Sequence, residues 1–516
     1  MLNTKSKTTN RLALGLVSFA TAVVLVFTMT FGASATAFAI GKQPFNNLQA
    51  TQIATDEHKA ATVLIYLNGS DLESEGGAAS ADIDEMLASG IGKNANVVIE
   101  TLGTKEWQEH GIASDHTQRY LVNQGQLELV DDSLGQLDTT ASDTLADFID
   151  WGVENYPADR YMLIMWDHGA GAVYGFGQDE FQDEDAALTL DEMRDALEAN
   201  KDVHFDFIGM DCCIMSSLET YYVFAPYCDY AILSEDFEPG IGWSYENWMA
   251  ELEADPTIDT EDIGTTIVHD MVTASEEDEE NGGDATLALV DESAVTALYN
   301  AWIDFAYENE DTLLGTNYSQ EISQHGRDGF IYDSSESVRP GGHGGFGDMN
   351  FHENSEGYNH HNMDNFFDMW DEFDDCFDCD DCDYYYDDWW GDCEDGSCYF
   401  DDWGYVTMSD YYATDIMTAA SSVNSDKATA LQQALSDAIV YFESTSGETG
   451  MTGIAVTLPY GDAEFYNELE DVFTNCGIDT NYVAWLENFV DAKGADNYYD
   501  YGGFVDALEF TLLNLL

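Results

Sequence analysis

The sequence predicts an α/β fold with a mostly parallel central sheet covered by helices on both faces. Three observations carry that prediction. Short apolar runs rich in β-branched residues recur along the chain. Stretches with apolar residues at helical spacing separate them. The runs, such as TVLIYL and YMLIMW, are continuously apolar, as strands buried on both faces require.

Taken in order, residues 62–67, 97–102, 161–166, 205–210 and 230–233 read as strands. Residues 81–87, 144–153, 190–197 and 215–224 read as the helices between them. A further strand over 285–290 leads into a helix over 294–307. The texture changes after residue 319. Residues 325–362 are rich in Gly and His, and 364–402 hold 17 acids, 12 aromatics, five Cys and no Lys or Arg. Globular character returns near Tyr405, with a helix over 428–442, a strand over 453–458 and a closing apolar segment. The expected organisation is therefore an export segment over 1–39, a polar linker over 40–60 and a core over 61–318. An insertion over 319–403 and a C-terminal part of the same body over 404–516 complete it.

The export segment has the expected grammar. Lys5, Lys7 and Arg11 precede an uncharged run over 12–31, and Ala37-Phe38-Ala39 meets the small-x-small rule for cleavage before Ile40. The apolar run is also long enough to span a bilayer, so an uncleaved N-terminal anchor is the alternative. In an exported chain, nine Cys leave at least one outside intramolecular pairing.

Composition bounds the partners. The 516 residues hold 101 acidic against 15 basic side chains, a formal net charge of -86. A polyanion repels nucleic acid and anionic lipid, and it attracts cations and cationic peptides. With 45% hydrophobic residues the chain still has enough apolar surface for a large core.

Two motifs stand at the C-terminal ends of predicted parallel strands, where open α/β sheets place their ligand sites. One is Trp166-Asp167-His168-Gly169-Ala170-Gly171; the other is Gly209-Met210-Asp211-Cys212-Cys213-Ile214-Met215. A lone His and a Cys pair each have ordinary structural readings. Their arrival at one sheet edge favours a chemical one, a thiol nucleophile with an imidazole to take its proton and return it to a leaving amine. The N–H groups of Gly169 and Cys213 are candidate oxyanion donors, and a helix starting after Cys213 is expected to favour the thiolate.

The sequence resembles the clostripain-like cysteine peptidases, in the clan that includes caspases, legumains and gingipains. The resemblance runs through TVLIYLNGSDLESEGGAASADIDEM at 62–86, His168-Gly169, the Asp-x-Cys-x-Met pattern of Asp211, Cys213 and Met215, and ILSEDFEPGIGW at 232–243. ATLALVD and GIAVTLP extend it into the later part. It implies a caspase-like α/β/α sandwich, a catalytic His168 and Cys213, and no cofactor required by the chemistry. Asp211 matches the acid at the floor of the S1 pocket that selects Arg or Lys, as a carboxylate in a narrow cleft suits a guanidinium. Glu235 and Asp236 are further candidates for the pocket wall. Cys212 fills a position that is usually small in the family.

The family commonly cuts itself at a basic residue after the catalytic histidine. Residues 169–193 contain no Lys or Arg, so Arg327 or Arg339 is the expected site of any maturation. In the insertion, Cys376, Cys379, Cys382, Cys393 and Cys398 have some likeness to zinc or cluster spacing, but export and an odd thiol count favour disulfides. Calcium is the metal that the carboxylates of 371–388 favour, and the resemblance points the same way, although no motif names its ligands. The leading expectation is a secreted endopeptidase cleaving cationic substrates after Arg or Lys. An inactive relative, or an exported acidic calcium-binding surface protein, is the alternative.

Overall fold

The computed structural model describes residues 58–182, 186–278, 283–313, 413–446, 450–459 and 463–497. The export segment, most of the 40–60 linker, and the insertion with its five Cys, Arg327 and Arg339 lie outside the described residues. No helix among the described residues is long and apolar enough to cross a membrane.

The strands are β1 (Lys59–Asn68), β2 (Ala95–Leu102), β3 (Gln118–Asn123), β4 (Gln126–Asp131), β5 (Ala158–Trp166), β6 (Phe205–Asp211), β7 (Cys228–Leu233), β8 (Thr286–Asp291), β9 (Ala413–Asp415), β10 (Ile439–Ser444) and β11 (Ala455–Thr457). The helices of the first half are α1 (Ser70–Ser74), α2 (Ala78–Ala88), α3 (Ser142–Asn155), α4 (Gly171–Tyr174), α5 (Leu190–Ala199), α6 (Leu218–Phe224) and α7 (Tyr245–Ala254). Those of the second are α8 (Thr260–Glu277), α9 (Glu292–Glu308), α10 (Glu310–Leu313), α11 (Ile416–Ser421), α12 (Asp426–Ala438), α13 (Ala463–Cys476) and α14 (Thr480–Asn497).

One nine-stranded sheet runs in the order β10-β8-β7-β6-β5-β1-β2-β3-β4. The central strands β7, β6, β5, β1 and β2 are parallel, and the margins are antiparallel. The apolar runs follow from burial on both faces. Along β1, Val63, Ile65 and Leu67 pack into one core, with α2, α7 and α8. Leu64 and Tyr66 point into the other, with α3, α5, α6 and α9. Each such side chain contributes roughly 1.5–3 kcal/mol by leaving water, so a strand with no polar face is stable only between two layers.

The structure adds helices with no counterpart among the expected elements, α7 and α8 among them, and departs from those elements at four further places. The β3–β4 hairpin was not anticipated; Gln124 and Gly125, at φ 48° and 81°, make the two-residue turn that suits the twist of paired strands. The helix expected over 428–442 stops at Ala438, and Ile439–Ser444 becomes β10, paired antiparallel with β8. The strand expected over 453–458 is the short β11, which pairs with β9 outside the main sheet. Finally, the helix expected from residue 215 begins at Leu218, because Ser217 caps it by accepting the Thr220 N–H at 3.1 Å. That leaves residues 212–217 as a turn at the sheet edge. The later helices α11 to α14 add Ile416, Leu431, Phe465 and Trp485 to the same core as α9.

Candidate active site

The site starts from strand register. Trp166 of β5 pairs with Asp211 of β6, and the Asp167 N–H reaches the Asp211 carbonyl at 3.4 Å. Two residues further on, the strands deliver His168 and Cys213 to the same edge. Gly169 fixes how close they come. A Cβ there would sit 2.1 Å from the Cys213 carbonyl oxygen and 2.9 Å from the Cys212 sulfur, so only glycine lets the two loops pack main chain to main chain.

His168 is partly buried, and its Nε2 lies 2.9 Å from Asp71 Oδ1. Burial alone would lower the imidazole pKa, but the Asp71 hydrogen bond, then the charges of Asp167 and Asp71, raise it. Asp167 is buried, and its carboxylate accepts from Ser70 Oγ at 2.6 Å, the Gln178 N–H at 2.6 Å and the Asn68 amide. Burial lifts it to about 7, while the neighbouring His168 pulls the other way.

Cys213 is partly exposed, and the Glu238 N–H donates to its sulfur at 3.3 Å. Desolvation pushes its thiol up to about 12, with the Glu238 N–H opposing. This corrects the thiolate expected from a helix start: α6 begins only at Leu218, so its N-terminus is not at the sulfur. Ile214 holds φ 49°, a conformation that a β-branched residue rarely takes, with its N–H on the Asp236 carbonyl at 2.9 Å. Ser216 anchors the end of the turn through Oγ to the Gly453 carbonyl at 2.5 Å. Cys212 is buried in the core beside Met210 and Leu218.

Beside this edge lies a group of carboxyls. Asp211 is 4% exposed and accepts from Tyr245 OH at 2.7 Å and from the Trp243 N–H at 3.2 Å. Asp82 accepts from Trp166 Nε1 at 2.6 Å, and Glu85 from the Tyr245 N–H at 2.7 Å. Glu238 lies against Asp211 and Trp243, and both of its carboxyl oxygens are buried without a hydrogen-bond partner of ordinary geometry. Gly242, at φ 58°, keeps the space open; a Cβ there would come within 3.2 Å of Asp211 and 3.4 Å of Asp82. No described Lys or Arg makes an ion pair with any of the four. Burial and mutual repulsion therefore raise Asp82 and Glu238 well above the usual carboxyl range, and burial raises Asp211 to about 6.

Two candidates from the sequence lie outside the group around Asp211, although the Asp236 charge reaches Cys213. Glu235 accepts the Gly453 N–H at 2.7 Å and faces Asp415, and the Asp236 carboxyl faces Asp284. Glu238 and Asp82, not singled out in the sequence, are the acids beside Asp211. Their segments EDFEPGIGW and SADIDEM are visible in the sequence, but each holds several acids, and only the fold selects among them.

For a metal, Asp84, Glu109 and His110 bring ligand atoms within 4.8 Å of one another among the described residues. One imidazole and two exposed carboxylates do not resemble the six to eight oxygens that calcium takes. The 371–388 carboxylates lie outside the described residues.

A profile of the clostripain family matches residues 65–387. The chain belongs to the clostripain family. Clostripain of Hathewaya histolytica is 27% identical over 137 residues, a stretch that covers 23% of this chain and only 26% of that protein. A secreted C11 cysteine protease from Bacteroides thetaiotaomicron, solved with an irreversible peptide inhibitor, superposes with a TM-score of 0.50 at 16% identity, covering 81% of this chain and 99% of that one. A second structure from the same organism, called iotapain, gives 0.50 at 14%, covering 84% and 99%. These likenesses show the clostripain-family fold, in which a large sheet with a parallel centre is covered by helices.

Proposed function

We propose that this member of the clostripain family is a secreted cysteine endopeptidase that hydrolyses peptide bonds after Arg or Lys. Cys213 is the nucleophile, His168 the general base and acid, and Asp211 the acid at the floor of the S1 pocket. The observation that carries this reading is the packing of Gly169 on the Cys213 main chain beside Asp211, Asp82, Glu85 and Glu238, four carboxyls with which no described Lys or Arg forms an ion pair. A guanidinium or ammonium side chain entering there supplies the missing counter-charge, and the adjacent peptide bond then lies near the sulfur.

The Cys213 thiol gives its proton to His168 as sulfur bonds to the carbonyl carbon. The Gly169 and Cys213 N–H groups hold the resulting oxyanion. The C–N bond then breaks, and the leaving amine takes the proton from His168. Water next gives a proton to His168 and attacks the thioester; sulfur leaves, recovers that proton, and the new carboxyl end departs. A thiol held near 12 suits proton transfer at the moment of attack rather than a standing thiolate. This sequence of steps uses no cofactor.

Digestion of a peptide library by the wild type and by Cys213→Ala, with and without calcium, tests the proposal. Cuts after Arg or Lys are expected, lost in Cys213→Ala and slowed roughly 10²- to 10⁴-fold in His168→Ala. Cleavage that survives in Cys213→Ala, or that ignores the residue before the cut, would sink it.

A further inference from the structure

Three strand ends meet at His168. The sheet places β6, β5 and β1 side by side, with Trp166 level with Asp211 on one side and with Leu67 on the other. Cys213 follows β6, His168 follows β5, and Asp71 follows β1, in the first turn of α1. The turn that carries Asp71 is constrained. Ser70 holds φ 45°, a left-handed conformation that costs a non-glycine residue roughly 1 kcal/mol or more. Its hydroxyl is spent on Asp167, the residue before the histidine, at 2.6 Å. The same turn brings Asp71 Oδ1 to within 2.9 Å of His168 Nε2. In the other described His–carboxylate pairs at least one side chain is more exposed, 56% and 76% in His58–Asp159 and 14% and 62% in His110–Asp84, whereas those of His168 and Asp71 are 30% and 20%.

We propose that Asp71 is the positioning residue for the catalytic histidine, completing a Cys213–His168–Asp71 relay laid out in strand order. This rests on the roles given to Cys213 and His168 above. A neutral imidazole whose Nε2–H donates to Asp71 carries its basic lone pair on Nδ1, and that nitrogen takes the thiol proton. When the proton arrives, the carboxylate stabilises the imidazolium across the same hydrogen bond. Among the described residues, the charged groups facing the ring are Asp71 from the β1–α1 turn and Asp167 from its own strand end. Asp167 is held by Ser70, Gln178 and Asn68, whereas Asp71 makes the side-chain hydrogen bond to the ring itself, at 2.9 Å. A partly desolvated thiol that holds its proton tightly needs such a strengthened base.

The test combines kinetics with a view of the ring. In Asp71→Asn, kcat on an Arg-ended peptide is expected to fall roughly 10- to 100-fold with KM within twofold. In the Cys213→Ala background, the His168 titration midpoint, followed by NMR and assigned by its absence in His168→Ala, is expected to move down when Asp71 becomes Asn. Asp71→Glu keeps the charge and is expected to restore most of the midpoint. An unchanged kcat, a lower kcat with an unmoved midpoint, or a Glu variant that behaves like Asn overturns the proposal. One measurement needs no change at Asp71. The ¹⁵N shifts of neutral His168 in Cys213→Ala are expected to show the proton on Nε2, and a proton on Nδ1 overturns the proposal even if the Asn variant does not fold. A wild type inactive on every Arg- or Lys-ended peptide removes the peptidase reading and this role together, whereas the other failures remove Asp71's role alone.

Discussion

Asp211 concentrates the chemistry of the S1 proposal at one residue. Its carboxyl is buried beside Asp82, Glu85 and Glu238 and is raised to about 6, so without substrate it holds its proton at mildly acidic pH. A cationic side chain binds the ionised form. KM for Arg-ended substrates should therefore rise as pH falls through about 6, reaching roughly tenfold at pH 5, where about one Asp211 in ten is ionised. A KM that stays flat from pH 7.5 to 5 argues against ionised Asp211 as the cation's partner. Asp211→Ala is expected to lower kcat/KM for Arg-ended peptides by about 30-fold or more, since it leaves a buried cation short of its main partner. Steady-state kinetics on one Arg and one uncharged peptide would separate this from a loss of folding.

At the scale of elements, the site is a product of two turns at the ends of β5 and β6. Neither turn is stable as a local conformation, since Ile214 sits at φ 49° and Gly169 has no room for a methyl group. Gly169→Ala should therefore push the Cys213 loop away and abolish activity, and it should also cost stability, because the clash is with main-chain atoms. Circular dichroism melts paired with thiol labelling of Cys213 check both effects; an active, fully stable Ala variant would contradict the packing. The Ser217 cap matters for the same reason. By starting α6 at Leu218 it leaves Cys213 outside the helix, and the thiol is governed by burial instead of a helix dipole.

Across the whole molecule, buried carboxyls dominate the electrostatics. Desolvation raises Glu100, Asp167, Glu219 and Asp236 to about 7 in the folded chain, whereas in an unfolded chain such groups ionise near 4 to 4.5. The folded state thus binds more protons, and stability must fall as pH rises from about 4.5 through 7. The net charge of -86 acts in the same direction, because repulsion grows as acids ionise. Melting temperature should accordingly decline across that window, and a rise toward neutrality would refute the assignment of raised carboxyls. The same charge should speed the encounter with cationic peptides, so kcat/KM is expected to drop as salt is added, with little change for neutral substrates. On the proposed specificity for Arg or Lys, the 15 basic residues in the chain also leave few places for self-cleavage.

What the sequence determined was whatever is written locally or by period. The central strands, the helices between them, and the placing of His168 and Cys213 after β5 and β6 follow from apolar runs and their spacing. A run buried on both faces carries its own signature. The β3–β4 hairpin, the end of α12 at Ala438 and the identity of β10 were not legible, because a half-buried edge strand such as IVYFES has the same apolar content as a helix end. Nor could the sequence choose among 101 acids. Glu235 and Asp236 were as plausible as Glu238, and Asp71 was one acid of several after β1. Tertiary structure decided these, because which carboxyl meets Asp211 or His168 depends on the register between strands and on the direction of each turn, and a change of one or two positions along a loop sends a side chain to a different neighbour.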